Sequence, residues 1–254
     1  VSACGNFALV GTSDGRVEMF NMQSHMHRRT FQTDSASPIS DVVTDAVNQL
    51  CLASSQDGQL HYFDFHTANK LASTPLSSGI SGLRLHRASQ LLAVLSDDLV
   101  LAVVDIETRR VARRFRGFRG RILDATFSAD GRWLVACSTD SVIRTFDLAT
   151  AQLIDAFRPS SMATSVTFSP AGDFLATAHV DSVGVHLWVN RAQFTSVALR
   201  ALDMGGVVPE RETAVPTVQG AALETSAPSD LDVGEPELQR TYTSPPQLLS
   251  LIHI

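Results

Sequence analysis

The sequence predicts an all-β chain of the propeller type, about five four-stranded blades side by side in an open arc, followed by a disordered acidic tail. Three observations carry this. The residue closing the third strand of each unit recurs at Phe20, Phe63, Val104, Phe146 and Trp188, in steps of 43, 41, 42 and 42 residues. A fixed period of roughly 40–45 residues holding several short strands is the pattern of propeller blades. Within each period, short apolar or alternating runs are separated by breaks rich in Asp, Gly and Ser, the punctuation of strands and tight turns. An Asp stands between the second and third strand of every unit: Asp14, Asp57, Asp97, Asp140 and Asp181.

In order, the first unit opens with FALVGTSDGRVEMFNMQS (7–24) and the second contains QLCLASSQDGQLHYFDFHT (49–67). Asp14-Gly15 and Asp57-Gly58 are strong hairpin signals. The third reads SGLRLH (81–86), LLAVLS (91–96), LVLAVVDIET (99–108) and RRVARRF (109–115). The fourth gives strands at RILDATF (121–127), WLVACS (133–138), VIRTFDL (142–148) and LIDAF (153–157). The fifth repeats it with ATSVTF (163–168), FLATAH (174–179) and VGVHLW (183–188). An Asp in such a turn accepts hydrogen bonds from neighbouring backbone N–H groups. Five of them at one phase are expected to be structural, since a catalytic carboxylate would not recur in every blade.

Composition divides the chain. Residues 1–200 balance 18 basic against 18 acidic residues and form the expected partial propeller. Its first blade is read as truncated, because Val1 aligns with the last residue of a first strand. Residues 201–248 are read as an acidic linker rich in Pro, Ser and Thr that stays disordered, since it has too little apolar surface to offset ordering entropy. Residues 201–254 carry eight acids against Arg211 and Arg240, so the chain's formal charge of −6 lies there. The last six residues, LSLIHI (249–254), match the translation of the adapter-like string CTGTCTCTTATACACATC and are expected to be non-native read-through.

Chemistry-bearing motifs are sparse. Cys4, Cys51 and Cys137 are far apart, form no CxxC, and suit a reducing compartment. The eight His residues show no compact spacing with Cys or carboxylates that a metal would need. No GxSxG, P-loop or HExxH occurs, and no stretch is apolar enough to span a membrane. The expectation is a protein with no catalytic residues, cofactor, metal or small-molecule substrate. One cluster stands out: Arg109, Arg110, Arg113, Arg114, Arg116, Arg119 and Arg121 put seven Arg into thirteen residues. Charge on an outer strand protects an exposed sheet edge, and the same charge can bind RNA phosphates or an acidic partner. Nineteen of the twenty basic residues are Arg, which offers a planar fork to phosphate and also follows from a GC-rich coding sequence.

These units resemble WD repeats, with departures. The Gly-His that opens a typical blade is Gly117-Phe118 in the fourth, and the closing Trp-Asp is Phe146-Asp147, Phe63-Asp64 or Phe20-Asn21. The buried His–Ser/Thr–Asp–Trp network of typical blades is therefore expected to lack its His and Trp. The segments at 3–24, 105–135, 144–157 and 169–188 closely resemble one family, the Utp21-type WD-repeat protein of the UTP-B subcomplex of the small-subunit processome, associated with the U3 small nucleolar RNP. HVDSVGVHLWVNR (179–191) is the most specific stretch, read as adding a residue to the third strand before Trp188. The resemblance implies the last five blades of a second propeller. It also implies a nucleolar scaffold whose partners are the other UTP-B propeller proteins and U3 snoRNA or pre-rRNA. An adaptor in a ubiquitin ligase or a trafficking coat is the alternative.

Overall fold

The computed structural model describes residues 1–76, 78–194 and 201–202, and the backbone of 251–253. The strands fall into five antiparallel sheets in chain order. The first holds β1 (Phe7–Gly11), β2 (Arg16–Asn21) and β3 (His27–Gln32). The second holds β4 (Ile39–Thr44), β5 (Leu50–Ser55), β6 (Gln59–Asp64) and β7 (Lys70–Pro75). The third holds β8 (Ile80–His86), β9 (Leu91–Ser96), β10 (Leu101–Asp105) and β11 (Arg110–Phe115). The fourth holds β12 (Ile122–Phe127), β13 (Trp133–Ser138), β14 (Ile143–Asp147) and β15 (Gln152–Phe157). The fifth holds β16 (Ala163–Phe168), β17 (Phe174–His179), β18 (Val185–Asn190) and β19 (Leu251–His253).

In the third and fourth sheets the second strand is apolar up to its closing Ser because sheets pack on both of its faces. In β13, Leu134 and Ala136 join a core with Leu101, Val103 and Phe115 of the third sheet. Val135 and Cys137 turn the other way, onto Val166, Leu175 and Trp188 of the fifth. The period-two alternation of a strand thus assigns successive residues to successive blade interfaces. In β9, Leu92 and Val94 face the second sheet, while Ala93 and Leu95 face the fourth.

Two bulges repeat. The first strand of sheets two to five has one at its start, at Ser40, Ser81, Leu123 and Thr164. The last strand of sheets one to four has one at Arg28, Leu71, Ala112 and Ile154. An extra residue in one strand increases the local twist, and here it recurs at one phase in successive blades.

Four sequence expectations need correction. In the third blade the turn position equivalent to Asp14, Asp57 and Asp140 belongs to Asp98, not Asp97. Asp98 lies two residues after Ser96, as the other three follow Thr12, Ser55 and Ser138, and it precedes the left-handed Leu99 (φ 62°). In the fifth blade Asp181 itself takes the left-handed position (φ 59°), because one more residue separates the paired Ala178 and Val185 than separates Cys137 and Ile143. The added residue therefore sits in the turn, at Ser182–Gly184, and the strand runs Val185–Asn190 rather than 183–188. Lastly, the fifth blade keeps a version of the buried network. The Trp188 indole N–H donates to Thr177 Oγ1 at 2.8 Å, and Thr177 Oγ1 meets His179 Nε2 at 2.7 Å. Its His comes from the end of β17, not from the connection opening the blade.

After β18 the chain makes one turn of 3₁₀ helix, Arg191–Gln193, capped by Asn190 Oδ1 accepting from the Ala192 N–H. Leu202 then donates its N–H to the Leu153 carbonyl of β15 at 2.8 Å, and β15 is buried over most of its length. The fourth position of the fifth sheet is held by β19, whose Leu251, Ile252 and His253 pair with Asn190, Val189 and Trp188. Those three residues belong to the hexapeptide expected to be non-native. Residues 203–250, including the acidic linker, lie outside the described residues.

Candidate functional site

The seven sequence-predicted Arg residues fall on the turn before β11, on β11 itself, the outermost strand of the third blade, and on the connection to β12. Their fates differ. Arg109 caps the preceding turn in a left-handed conformation and lays its guanidinium over the Tyr62 ring of the second blade, 5.7 Å from its centre. Arg113 reaches the fourth blade, donating Nε–H to the Leu148 carbonyl at 3.2 Å and an Nη2–H to Ala149 at 3.5 Å. Arg121 faces Asp97 at 3.6 Å. Arg110, Arg114 and Arg116 are exposed, and their side chains make no hydrogen bond or ion pair among the described residues. The exposed Arg119 uses only its backbone N–H, given to Asp140 Oδ2 at 3.1 Å.

The backbone presenting them is held firmly. Phe115 and Phe118 turn inward and pack on Phe146, with ring centres 4.7 and 5.7 Å apart. Arg144 lies over Phe118 at 5.1 Å, and the Arg121 carbonyl accepts from the Thr139 N–H at 2.9 Å. Gly120 is required, since a Cβ there would strike Thr139 Oγ1 and the Asp140 backbone.

Asp140 is the hub beneath this loop. It accepts from the Ser138 hydroxyl and from the Val142 N–H at 3.1 Å, and takes both Arg144 Nη groups at 3.1 and 2.7 Å. Burial alone would raise its pKa, but the Arg144 and Ser138 hydrogen bonds outweigh that and hold the carboxyl below its ordinary range. Asp57 likewise accepts from Ser55, from Ser35 at 2.8 Å and from the Gln59 N–H at 3.3 Å. Asp14 takes Thr12 Oγ1 and an ion pair with Arg16 at 2.6 Å.

A second set of charged residues was missed from sequence. Asp41 and Asp124 follow the bulges of the first strands and reach into the next blade, each accepting from a backbone N–H 42 residues, one repeat period, further along the chain. Asp41 Oδ2 accepts the Leu83 N–H at 2.9 Å. Asp124 Oδ2 accepts the Val166 N–H at 3.0 Å and the Ser165 hydroxyl at 2.6 Å. Gly82 occupies the equivalent position in the third blade, where Arg84 bridges instead, to Asp124 at 2.7 Å and Asp41 at 3.3 Å. The signal was available: Asp41 and Asp124 share a phase with the repeat, but a polar residue in an alternating strand passes as solvent-facing.

Among the described residues no three His, Cys, Asp or Glu side chains form a group that could hold a metal ion. Burial raises the Cys51 and Cys137 thiols to about 12, which leaves them un-ionised and poor nucleophiles. No helix of the described residues is long and apolar enough to cross a membrane.

Comparison with known proteins places this arrangement. The model of the WDR36/Utp21 second beta-propeller domain matches residues 1–211. Among curated proteins, the U3 small nucleolar RNA-associated protein 21 homolog of Schizosaccharomyces pombe is 42% identical over 87% of this chain and 24% of its own length. WD repeat-containing protein 36 of Homo sapiens is 43% identical over 80% of this chain and 23% of its own. U3 small nucleolar RNA-associated protein 21 of Saccharomyces cerevisiae is 39% identical over 80% and 22%. The chain thus spans about a quarter of the length of these relatives. A chain from a crystal structure of the mitotic checkpoint complex superposes with a TM-score of 0.66 at 18% identity, covering 74% of this chain and 59% of that one, a likeness of fold. By its blades, its departures from the usual repeat and the match along nearly its whole folded length, the chain belongs to the WDR36/Utp21 family of WD-repeat proteins, within the second β-propeller.

Proposed function

We propose that the chain is part of a non-catalytic scaffold subunit of the small-subunit processome, acting in pre-rRNA processing and small ribosomal subunit biogenesis in the nucleolus. The observation that carries the reading is the family match over residues 1–211, joined to relatives named as U3 small nucleolar RNA-associated proteins. The geometry supports it. Asp140, Asp124, Arg144 and Arg84 are spent on turns and on ties between blades, as a rigid platform requires, and the least committed charged groups lie on an outer rim. The partners under this reading are the other UTP-B propeller proteins and U3 snoRNA or pre-rRNA. Gradient sedimentation of the tagged full-length protein tests it: the protein should travel with U3 RNA and pre-rRNA, and its depletion should lower small-subunit rRNA relative to large-subunit rRNA. Sedimentation apart from both RNAs overturns the reading, and co-purification with a ubiquitin ligase or a vesicle coat instead would install the adaptor alternative.

A further inference from the structure

We infer that the free edge of β11 binds the phosphate backbone of single-stranded RNA through Arg110, Arg114, Arg116 and Arg119. The inference deepens the reading above and rests on it for the identity of the RNA, but not for the chemistry of the surface.

Four features of the strand carry it. First, these four guanidinium groups are exposed and uncommitted, while the other three Arg of the cluster are occupied by Tyr62, by the Leu148 and Ala149 carbonyls and by Asp97. Structural Arg residues and available ones share one short stretch, and protection of the β11 edge does not account for Arg116 and Arg119, which lie beyond the strand. Second, β11 ends its sheet. The bulge at Ala112 places Arg114 opposite Ala102 and Arg110 opposite Asp105. Arg110 and Arg114 therefore project from opposite faces and flank the edge. The pair spans three steps of β10, so at a strand rise of about 3.3 Å per residue Arg110 and Arg114 stand about 10 Å apart along the edge, with Arg116 just beyond the strand end, a spacing suited to a chain with a charge at every link.

Third, the surface has no apolar anchor. The large apolar side chains of the stretch, Phe115 and Phe118, are buried, and Val111 packs inward. Protein interfaces take their energy from buried aromatic and aliphatic anchors, whereas phosphate binding needs only placed cations. Fourth, the loop is preorganised. Phe118, the Arg119 N–H on Asp140 and the tight fit of Gly120 fix the backbone from which Arg116 and Arg119 extend, which lowers the ordering cost of binding. Most nearby acids are already engaged: Asp140 is taken by Arg144, Asp97 by Arg121, and Asp105, opposite Arg110, by the Glu107 N–H and the Thr108 hydroxyl, which leaves the exposed Glu107. From Thr108 to Leu123 the sequence has no acidic residue.

The test uses the full-length protein and an oligouridylate probe, with affinity measured across a salt series. Neutralising neither phosphate specificity nor fold, the change of Arg110, Arg114, Arg116 and Arg119 together to Gln should weaken binding at least about tenfold at 0.1 M salt. It should also flatten the slope of log K against log salt by about 3, four phosphate contacts at about 0.7 each. The same four changed to Lys should keep the wild-type slope, and Arg28→Gln with Arg87→Gln, exposed Arg on the first blade and on the turn between β8 and β9, should leave affinity unchanged. In the wild-type protein the probe should slow amide exchange at residues 110–119, a readout independent of any variant's folding. Unchanged slope and affinity in the Gln variant, an equal loss in the Arg28/Arg87 control, or no exchange protection would each overturn the inference. Loss of a protein partner or of polyglutamate binding by the Gln variant, with oligouridylate binding intact, would overturn it and make the edge a protein contact. A full-length protein that binds the probe through this edge but sediments apart from U3 RNA would refute the processome reading alone.

Discussion

At the scale of single residues, the turn carboxylates do more than close hairpins. Asp140 joins its own turn, the loop of the preceding blade and the guanidinium of Arg144, whose side chain is 6% exposed against 11% for Asp140. Truncating one member of such a pair leaves the other charge without its partner in a poorly hydrated site. Asp140→Ala should therefore destabilise the propeller by about 3 kcal/mol, measured by urea unfolding followed by circular dichroism. A loss under about 0.5 kcal/mol would show that water replaces the carboxylate. The existence of these turns was legible in the sequence because Asp-Gly and Asp-Ser at a fixed phase have a local cause. Arg144 as Asp140's partner was not: it lies in the middle of an apolar strand and reads as an outward-facing polar residue. Asp97 and Asp181 lie in their turns but off the phase of Asp14, Asp57 and Asp140, for one physical reason. A turn is defined by which residue takes positive φ, and counting from the nearest Asp mistakes that position when two Asp adjoin or when the turn is longer by one.

At the scale of strands, the bulge in each first strand decides how blades are tied together. It sets Asp41 and Asp124 so that one carboxylate oxygen serves its own strand and the other the next blade. Val42 and Ala125 give their N–H groups to Oδ1 at 2.8 and 2.9 Å, leaving Oδ2 to cross the interface. Asp124 also holds Arg84 and Ser165 and is 5% exposed. Asp124→Ala should thus cost more than Asp41→Ala, by about 1–2 kcal/mol, since it strands a buried N–H and releases two further partners. Equal losses in parallel denaturation curves would contradict this ordering. The strands themselves were readable from alternation and from doubly apolar runs such as 133–138. The bulges were not, because an inserted residue that keeps the hydrophobic pattern on both sides leaves no compositional trace. The outer strands also differ in a way that local sequence does not announce. β15 is covered where Leu202 returns to it, whereas β11 keeps its edge.

At the scale of the whole molecule, stability is tied to a set of ionised carboxylates. Asp14, Asp34, Asp57, Asp64, Asp140 and Asp147 all have pKa values held below the ordinary Asp range. Groups depressed in the folded state contribute stability above the unfolded value of about 3.9 and lose it as pH falls through their folded values. His61 acts in the same direction from higher up. Burial, then the charge of Lys70, lowers its pKa, so the unfolded chain binds its proton first as pH drops below about 6.5. The unfolding midpoint should therefore decline gently below about pH 6.5 and steeply below about pH 4. A midpoint unchanged from pH 7 to pH 3 would show that these carboxylates have the same pKa folded and unfolded. The repeat made the fold plain at this scale, because five copies of one pattern leave little room for another architecture. The Arg cluster was equally visible as charge, but its division into structural and uncommitted members depends on which blade each guanidinium meets.

The buried network of the fifth blade has a practical consequence. Trp188 and Trp133 are the two Trp residues of the chain, and they occupy unlike environments. Trp188 gives its indole N–H to Thr177 and lies 4.7 Å from Phe157 of the preceding blade, whereas Trp133 lies beneath the Arg132 guanidinium at 5.7 Å. Replacing Trp133 by Phe would leave a single Trp, at the junction of the fourth and fifth blades, to be excited selectively at wavelengths Tyr does not absorb. A shift of its emission would then report the parting of those two blades separately from the melting of either one.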